Sequence, residues 1–493
     1  MSALPSPPAA TVVPQEAPLL DPAALRAAGR TPPVPFRVRL DAGGELLVRR
    51  LLRVLPGKRI VGEGLLDGEA VLAKLFIDRN SARHWAREHR GIMALEKAGV
   101  PTPALLLAAS LPTDGHVLLT RFLNDATTVL EDWRALAHPE QPGNPDGIIL
   151  LAPAFALLGR LHATGLSHDD LHLGNFLHHD HTLLLIDGDA VHDHGPGPLP
   201  EKPAARDLAM LIAQLPRTWD GHLQPLLDAY RKSMGSDTID FPSATLTEAL
   251  KAERAWRLRD YLDKTGRDCT LFRVKKRFNR FEAVVRAEAA ALAPLLDAPD
   301  YWMEAGTTLK RGNTCTVARV DIDGRATVVK RYNLKNLRHS LSRLWRPSRG
   351  WHSWREAHRL RLFGISTPAP LALIEERWGP LRGRAWLITE HCPGRDLLTH
   401  LDPGNEPPAA EAAALQTLFA TLYRERISHG DLKASNLLWD GDEVKVIDLD
   451  AMRQHRNAAM HARAWQRDRK RLLRNWPADS KLHRWLDAHL PPA

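Results

Sequence analysis

The chain reads His168-Asp-Asp-Leu-His-Leu-Gly-Asn175 and, further on, His429-Gly-Asp-Leu-Lys-Ala-Ser-Asn436. Each stretch is followed by an apolar run that ends in Ile-Asp, at Asp187 and at Asp448. The two copies keep one offset of 261 residues, because 431 minus 170, 436 minus 175 and 448 minus 187 give the same difference. No insertion therefore separates the polar residues within either copy. This regularity predicts an internal repeat of a whole folded unit.

The polar residues of the repeat are typical of phosphoryl transfer. In H-x-D-L-x-x-x-N followed by a hydrophobic strand and Asp, the first Asp accepts the proton of an attacking hydroxyl. The Asn and the final Asp hold magnesium, which prefers hard oxygen ligands, on the nucleotide phosphates. The sequence therefore predicts two sites that use ATP and Mg²⁺. The predicted catalytic bases are Asp170 and Asp431, and the predicted metal ligands are Asn175, Asp187, Asn436 and Asp448.

Upstream of each copy, one lysine interrupts an apolar run with strand character, at Lys74 and at Lys330. A buried lysine is costly without a partner, so we expect each to contact nucleotide phosphates and to pair with a carboxylate. Glu88 shares the apolar face of a predicted helix and is the expected partner of Lys74. Glu356 is the corresponding prediction for Lys330, although the separations differ: 88 minus 74 is 14, whereas 356 minus 330 is 26.

Glycines precede both lysines. Gly62 and Gly64 come before Lys74, and Gly312 comes before Lys330. In this position each group is predicted to lie in a hairpin that closes over the nucleotide phosphates. Neither group completes G-x-G-x-x-G, so an ordinary turn remains the alternative reading.

The second copy resembles the bacterial lipopolysaccharide core heptose kinase family, whose members are similar to protein kinases in fold. The resemblance covers about residues 300–480, while the first copy looks like a more divergent member. It implies ATP and magnesium as cofactors and an inner-core sugar, chiefly heptose, as acceptor. It also implies that backbone groups of residues 120–123 and 389–392 read the adenine. The resemblance rests on residues 309–314, 329–332, 346–356, 367–370 and 429–433.

Both copies depart from the protein-kinase D-F-G motif. They read Asp187-Gly188-Asp189 and Asp448-Leu449-Asp450. The phenylalanine switch of regulated protein kinases is therefore not expected. Asp189 and Asp450 could bind a second metal ion or cap a turn, and both readings stay open.

These patterns predict an α+β protein with two tandem protein-kinase-like bilobal domains, each with a small β-rich N-lobe and a mostly helical C-lobe. The predicted boundaries are a disordered Pro/Ala-rich segment at residues 1–35, a first domain at 36–296 and a second at 300–493. Because only 45 residues follow Asp448 (493 minus 448), the second domain is predicted to have the shorter C-lobe.

Composition indicates an intracellular protein. Cys269, Cys315 and Cys392 show no paired spacing, which favours a reducing compartment over a disulfide framework. No signal peptide is expected, because the start of the chain lacks a basic region followed by an apolar run. The longest apolar candidate for a membrane span, around residues 148–159, contains Pro153 and is predicted to be a buried helix.

A basic strip between Lys330 and Arg361 contains ten basic residues against the single acid Glu356, interleaved with three tryptophans. With the net charge of +9, it favours an acidic partner: lipopolysaccharide or an anionic membrane surface. Nucleic acid is not expected as a partner, and an ordinary solvated helix face is the other alternative.

The sequence as a whole predicts an ATP-dependent kinase of an inner-core lipopolysaccharide sugar. Its expected location is cytoplasmic, peripheral at the inner membrane. A protein kinase or another small-molecule kinase of the same fold is an alternative, because the motifs specify phosphate chemistry rather than the acceptor. A second alternative is that one unit is a pseudokinase scaffold. The sequence leaves the oligomeric state open.

Overall fold

The computed structural model describes residues 17–41, 43–235, 243–333, 347–379 and 381–492. They form two units, one up to Arg254 and one from Ala255 onward. The helix Ala244–Lys264 crosses this boundary. Each unit combines an antiparallel sheet with a helical part, which confirms the predicted α+β class.

The sheet of the first unit positions Lys74. In the strand Glu69–Phe76, Val71, Ala73 and Leu75 are buried in the core of the sheet, so Lys74 points to the opposite face. The sheet has six antiparallel strands in the spatial order Phe36–Arg39, Glu45–Leu55, Arg59–Leu66, Glu69–Phe76, His116–Arg121 and Leu105–Ser110.

The segment before this sheet is ordered where the structure describes it, so the prediction of disorder is wrong for residues 17–35. The helix Pro22–Ala27 begins after Asp21, whose carboxylate accepts the backbone N–H of Ala24 at 2.7 Å. Leu25 is fully buried against the sheet. Burial of Leu25 and the capped helix order this segment, although its composition favours disorder. Residues 1–16 lie outside the described residues.

The helical part of the first unit surrounds the helix Pro145–Ala163. Within the described residues this is the one helix whose length and hydropathy would suit a membrane span, which the sequence analysis did not expect. Its buried side chains, such as Phe155 and Leu158, belong to the core, and core helices pass the same test. The other elements are the helices Val129–Ala135, Glu201–Ile212 and Gln224–Met234, and the short strands Thr127–Thr128, Leu166–His168, Phe176–His179, Thr182–Leu185 and Val191–Asp193.

The sheet of the second unit corrects the predicted domain boundary. The strands Phe272–Lys276 and Arg280–Val285, assigned from sequence to the first domain, belong to this sheet because Arg280–Val285 pairs with Pro370–Trp378. Such pairing joins segments that are distant along the chain, and no local pattern reports it. The seven strands follow the order Phe272–Lys276, Arg280–Val285, Pro370–Trp378, Leu381–Glu390, Arg325–Tyr332, Cys315–Ile322 and Thr307–Arg311.

The helix Arg349–Leu362 packs on this sheet. It begins at Ser348, whose hydroxyl accepts the backbone N–H of Trp351 at 2.9 Å. The remaining elements are the helices Ala293–Asp297, Pro299–Ala305, Leu397–His400, Ala409–Arg424, Ala458–Leu473 and Lys481–His489, and the short strands Arg395–Asp396, Ile427–Ser428, Leu437–Trp439, Val444–Val446 and Arg453–Gln454.

Candidate active site

Four kinds of segment build a site in each unit. They are the catalytic loops (residues 168–175 and 429–436), the lysine strands (Glu69–Phe76 and Arg325–Tyr332), the site helices (Ser81–Lys97 and Arg349–Leu362) and the acidic turns (residues 187–189 and 448–450).

A buried carboxylate anchors the start of each catalytic loop. Asp207 accepts the backbone N–H of His168 at 2.8 Å, and Asp468 accepts that of His429 at 2.6 Å. Both carboxylates are buried, so they replace the water that these N–H groups would otherwise need. The sequence analysis assigned no role to this pair, although the offset of 261 residues also relates 207 to 468.

Inside each loop, the predicted metal-binding asparagine is tied to the predicted base. The side-chain N–H of Asn175 donates to the carbonyl of Asp170 at 2.8 Å, and Asn436 donates to Asp431 at 2.9 Å. Because the amide nitrogen is used in this way, the amide oxygen remains as the possible metal ligand. The repeated spacing thus produces the same local geometry twice.

The acidic turns follow their strands as predicted. Asp187 and Asp448 come two residues after the strands Thr182–Leu185 and Val444–Val446. Both have left-handed backbone conformations, with φ of 77° and 60°. This conformation is uncommon outside glycine, and aspartate is among the residues that tolerate it best.

In the first unit, Lys74 and Glu88 form the predicted ion pair. Glu88 is fully buried and also forms an ion pair with Arg59 at 3.4 Å. Burial raises the pKa of Glu88 and Lys74 opposes this rise. Lys74 also lies 3.6 Å from Asp187, whose pKa stays below its usual value because Lys74 and Arg59 outweigh the effect of burial. Lys74 therefore lies between the carboxylates of Glu88 and Asp187.

In the second unit, Lys330 has different partners from those predicted. Its ammonium group donates to Asp448 at 2.6 Å and to Asp450 at 2.9 Å. Burial works against the charge of Lys330, but Tyr332, Asp450 and Asp448 outweigh burial and raise its pKa. Glu356 instead pairs with Arg359 at 2.9 Å. The predicted Lys330 to Glu356 pair is therefore wrong.

The register of the two site helices explains this difference. Val100 N–H donates to the carbonyl of Leu95, and Ile365 N–H donates to that of Leu360, so the helix ends correspond with an offset of 265 (360 minus 95). With this offset, Ser353 rather than Glu356 occupies the place of Glu88 (88 plus 265). Glu356 takes the place of Gly91 and lies about one turn further along the helix.

The predicted glycines lie in different settings. Gly62 and Gly64 are inside the strand Arg59–Leu66, which forms an antiparallel hairpin with Glu45–Leu55, so they lie in a hairpin rather than in an ordinary turn. A Cβ atom on either would approach a backbone oxygen of the neighbouring irregular strand to less than 3 Å. Gly312 does lie in the turn before Cys315, whose carbonyl accepts its N–H at 3.0 Å. Binding of phosphates by all three stays a prediction.

The two predicted bases have different surroundings. Asp431 pairs with Lys433 at 3.0 Å and with Arg471. The offset of 261 places His172 and Met210 at these two positions in the first unit. The charge around the base therefore differs between the units although the motif is shared.

A cavity of about 640 Å³ and one of about 470 Å³ lie in the second unit, and the smaller one is at the predicted site. The smaller cavity contains Lys330, Asn436 and Asp448. Residues 389–392, predicted to read adenine, also line it, together with apolar side chains such as Val317 and Leu438. Its volume is in the range of small-molecule sites, and its lining includes both apolar and charged side chains. This lining suits a nucleotide, because apolar side chains can pack against the base and Lys330 can bind the phosphates.

The acidic turns offer oxygen ligands for a cation. A buried oxygen of Asp187, Oδ1, accepts no hydrogen bond among the described residues. In the described part of the chain, no three His, Cys, Asp or Glu side chains are grouped to hold a metal ion by themselves. One carboxylate and one amide per unit fit Mg²⁺ that is bound mainly through waters and phosphates.

The basic strip is not one exposed face. Trp354 is fully buried, and Lys330 belongs to the site. Arg331 pairs with Asp300 at 3.0 Å, which neutralises part of the charge. Residues 334–346, with Arg343, Trp345 and the rest of the strip's centre, lie outside the described residues.

Comparisons with known proteins concern mainly the second unit. A model of the Lipopolysaccharide kinase (Kdo/WaaP) family matches residues 300–485. The 3-deoxy-D-manno-octulosonic acid kinases of Stenotrophomonas maltophilia strains K279a and R551-3 are each 30% identical over 190 residues, covering 36% of this chain and 73% of theirs.

Two solved structures are also similar. A structure of WaaP in complex with acyl carrier protein has a TM-score of 0.30 and 22% identity, over 43% of this chain and 86% of that one. Vaccinia related kinase 3 has a TM-score of 0.28 and 11% identity, over 48% and 89%. The family match and the curated relatives agree, and the chain belongs to the lipopolysaccharide kinase (Kdo/WaaP) family.

Proposed function

We propose that the second unit transfers the γ-phosphoryl group of ATP to a hydroxyl of an inner-core lipopolysaccharide sugar. The observation that carries this proposal is the cavity lined by Lys330, Asn436 and Asp448, in which Asn436 also donates to the carbonyl of Asp431, within the segment that the family model matches. Both units would be bilobal and protein-kinase-like. The first acceptor to test is 3-deoxy-D-manno-octulosonic acid, the sugar in the name of the curated relatives, and the second is heptose.

The residues of the second unit have distinct roles in this reaction. Asp431 takes the proton of the acceptor hydroxyl, whose oxygen forms a bond to the γ-phosphorus while the bond to the bridging oxygen of ADP breaks. Lys330 binds the phosphates. Lys433 and Arg471 hold the base in place and offset the negative charge that gathers around it. Asn436 and Asp448 would hold Mg²⁺, which neutralises charge on the phosphates.

The first unit is a second candidate for catalysis, and one observation argues for a different role. It keeps Lys74, Glu88, Asn175 and Asp187, the residues expected to bind a nucleotide. The positions that correspond to Lys433 and Arg471 are, however, occupied by His172 and Met210. We propose that this unit binds nucleotide and that transfer belongs to the second unit.

Two matched variants test the assignment. With labelled ATP and purified core oligosaccharide ending in 3-deoxy-D-manno-octulosonic acid, Asp431→Asn is expected to abolish sugar labelling. Asp170→Asn is expected to leave it within about threefold of the unaltered protein. Labelling of heptose alone would show that heptose is the acceptor. Labelling of protein but of no oligosaccharide would overturn the proposal. Equal losses in the two variants would show that both units turn over.

The proposed location is the cytoplasmic face of the inner membrane, with peripheral attachment. The net charge of +9 supports it, because each Lys or Arg near an anionic surface contributes about 1 kcal/mol. Flotation with vesicles containing anionic lipid, compared with neutral vesicles, tests it. We expect the protein to float with the anionic vesicles, and we expect the double variant Arg343→Glu with Arg346→Glu to float less. No flotation with either lipid would refute the location.

A further inference from the structure

The lysine of each unit is held by a carboxylate, but the carboxylate comes from a different element. In the first unit it is Glu88 of the site helix. In the second unit the helix offers Ser353 at that place, and Asp450 of the acidic turn lies 2.9 Å from Lys330. Asp189, the counterpart of Asp450, is engaged by Arg87 at 2.8 Å instead.

The surroundings of Asp450 match this exchange. One oxygen of Asp450 accepts hydrogen bonds from Lys330, from the hydroxyl of Tyr332 at 2.8 Å and from the hydroxyl of Ser353 at 2.8 Å. The lysine strands correspond with an offset of 256 (330 minus 74), so the residue at the place of Tyr332 is Phe76, which has no hydroxyl.

Two hydroxyls in the second unit therefore occupy places that hold Phe76 and Glu88 in the first unit. Both hydroxyls donate to Asp450 and fix its position. His352, at the place of Arg87 (87 plus 265), contacts the carbonyl of Met452 at 2.8 Å instead of Asp450, whose other oxygen lies 3.9 Å from Arg349. These three differences between the units agree with one another, since each either removes a competitor for Asp450 or supplies a hydrogen-bond donor to it.

We propose that Asp450 is the positioning residue of Lys330 in the second unit, in the role that Glu88 has in the first. Lys330 also contacts Asp448, but Asp448 is the expected metal ligand and its charge is then shared with the cation. Asp450 keeps the ammonium group directed into the cavity whether or not Asp448 is so engaged. This inference rests on the proposed nucleotide-binding role of the second unit.

The test moves the carboxylate from the turn back to the helix. Asp450→Asn is expected to raise the Kd for ADP, measured in EDTA, by about tenfold and to lower kcat/KM for ATP by about a hundredfold. Adding Ser353→Glu to Asp450→Asn places a carboxylate where Glu88 lies in the first unit. This double variant is expected to recover most of both losses. Ser353→Gln in the same background is the matched control, and it is expected to recover neither.

A second-metal role for Asp450 predicts other results. The loss would then appear only with Mg²⁺ present, and the carboxylate at position 353 would restore nothing. Either result overturns the proposal. If Asp450→Asn alone does not fold, the double variant still decides, because a metal ligand cannot be replaced from the helix. The Kd in EDTA needs no acceptor, so an inactive wild-type protein that binds ADP would contradict the proposed transfer and leave this inference testable.

Discussion

The carboxylate of Asp468 accepts the backbone N–H of His429 at 2.6 Å and also that of Gly430 at 3.0 Å. Asp468 is 2% exposed, so water cannot replace it easily. The residue lies 37 positions beyond Asp431 (468 minus 431), yet it fixes the loop on which the base is carried. The first prediction concerns this anchor.

Asp468→Ala is expected to destabilise the second unit by about 3 kcal/mol, since two buried N–H groups lose their acceptor. Transfer is expected to fall about a hundredfold, because the base no longer lies in line with the acceptor hydroxyl. Chemical denaturation and labelled-ATP assays measure the two effects. Asp468→Asn, which keeps one acceptor oxygen, should show smaller losses.

Asp207→Ala serves as the control in the first unit, where it removes the same kind of contact from His168. A similar loss of stability with continued transfer is expected. If Asp207→Ala stops transfer as completely as Asp468→Ala, the division of labour between the units is wrong.

The second prediction concerns Lys433, which lies 3.0 Å from Asp431. Lys433→Met removes a cation from the place where charge gathers in the transition state, so kcat is expected to fall about a hundredfold while KM for ATP changes little. Steady-state kinetics with varied ATP separates these parameters. Lys433→Arg keeps the charge and should retain more activity. A large rise in KM with unchanged kcat would assign Lys433 to nucleotide binding instead.

The third prediction concerns Gly91, on the site helix of the first unit. A Cβ atom there would stand 1.8 Å from the carbonyl oxygen of Gly188 in the acidic turn. Gly91→Ala must push the helix from the turn, at a cost of about 3 kcal/mol, and should weaken ADP binding by the first unit. Gly221→Ala, where a Cβ atom meets nothing within 4 Å, is the control. Equal stability of the two variants would contradict the close contact.

The sequence predicted what depends on local order and on the repeat. The offset of 261 residues located both catalytic loops and both acidic turns, and helix periodicity selected Glu88 for Lys74. The same reasoning failed for Glu356, because an insertion precedes the second site helix. The two site helices align only when their residues are counted back from the C-terminal end of each helix. The motifs Gly99-Val100-Pro101 and Gly364-Ile365-Ser366 carried that register.

Non-local contacts set the other limit on prediction. Arg280–Val285 joins the second sheet through Pro370–Trp378, roughly ninety residues away, so sequence spacing gave the wrong domain boundary. Asp450 was recognised only as a turn or metal residue. Its three donors come from the turn's spatial neighbours on a strand and a helix, and no single segment of sequence shows them together.

The fourth prediction concerns His358, which is buried among aromatic rings and lies 3.1 Å from the hydroxyl of Tyr261. The ring of Trp354 crosses it at a centroid distance of 4.3 Å. Burial first, and then the charge of Arg361, lower the pKa of His358 to about 3. The folded protein therefore keeps this side chain neutral where the unfolded chain would protonate it.

The consequence is a loss of stability in acid. Between the unfolded pKa, near 6.5, and the folded value, the unfolded state binds more protons, so the free energy of unfolding falls as the pH decreases. From pH 7.5 to pH 5 this group should remove about 2 kcal/mol. His358→Gln keeps a polar partner for Tyr261 but does not titrate. Denaturation of both proteins across this range should therefore give a shallower pH dependence for the variant, and identical slopes would show that His358 titrates alike in the folded and unfolded protein.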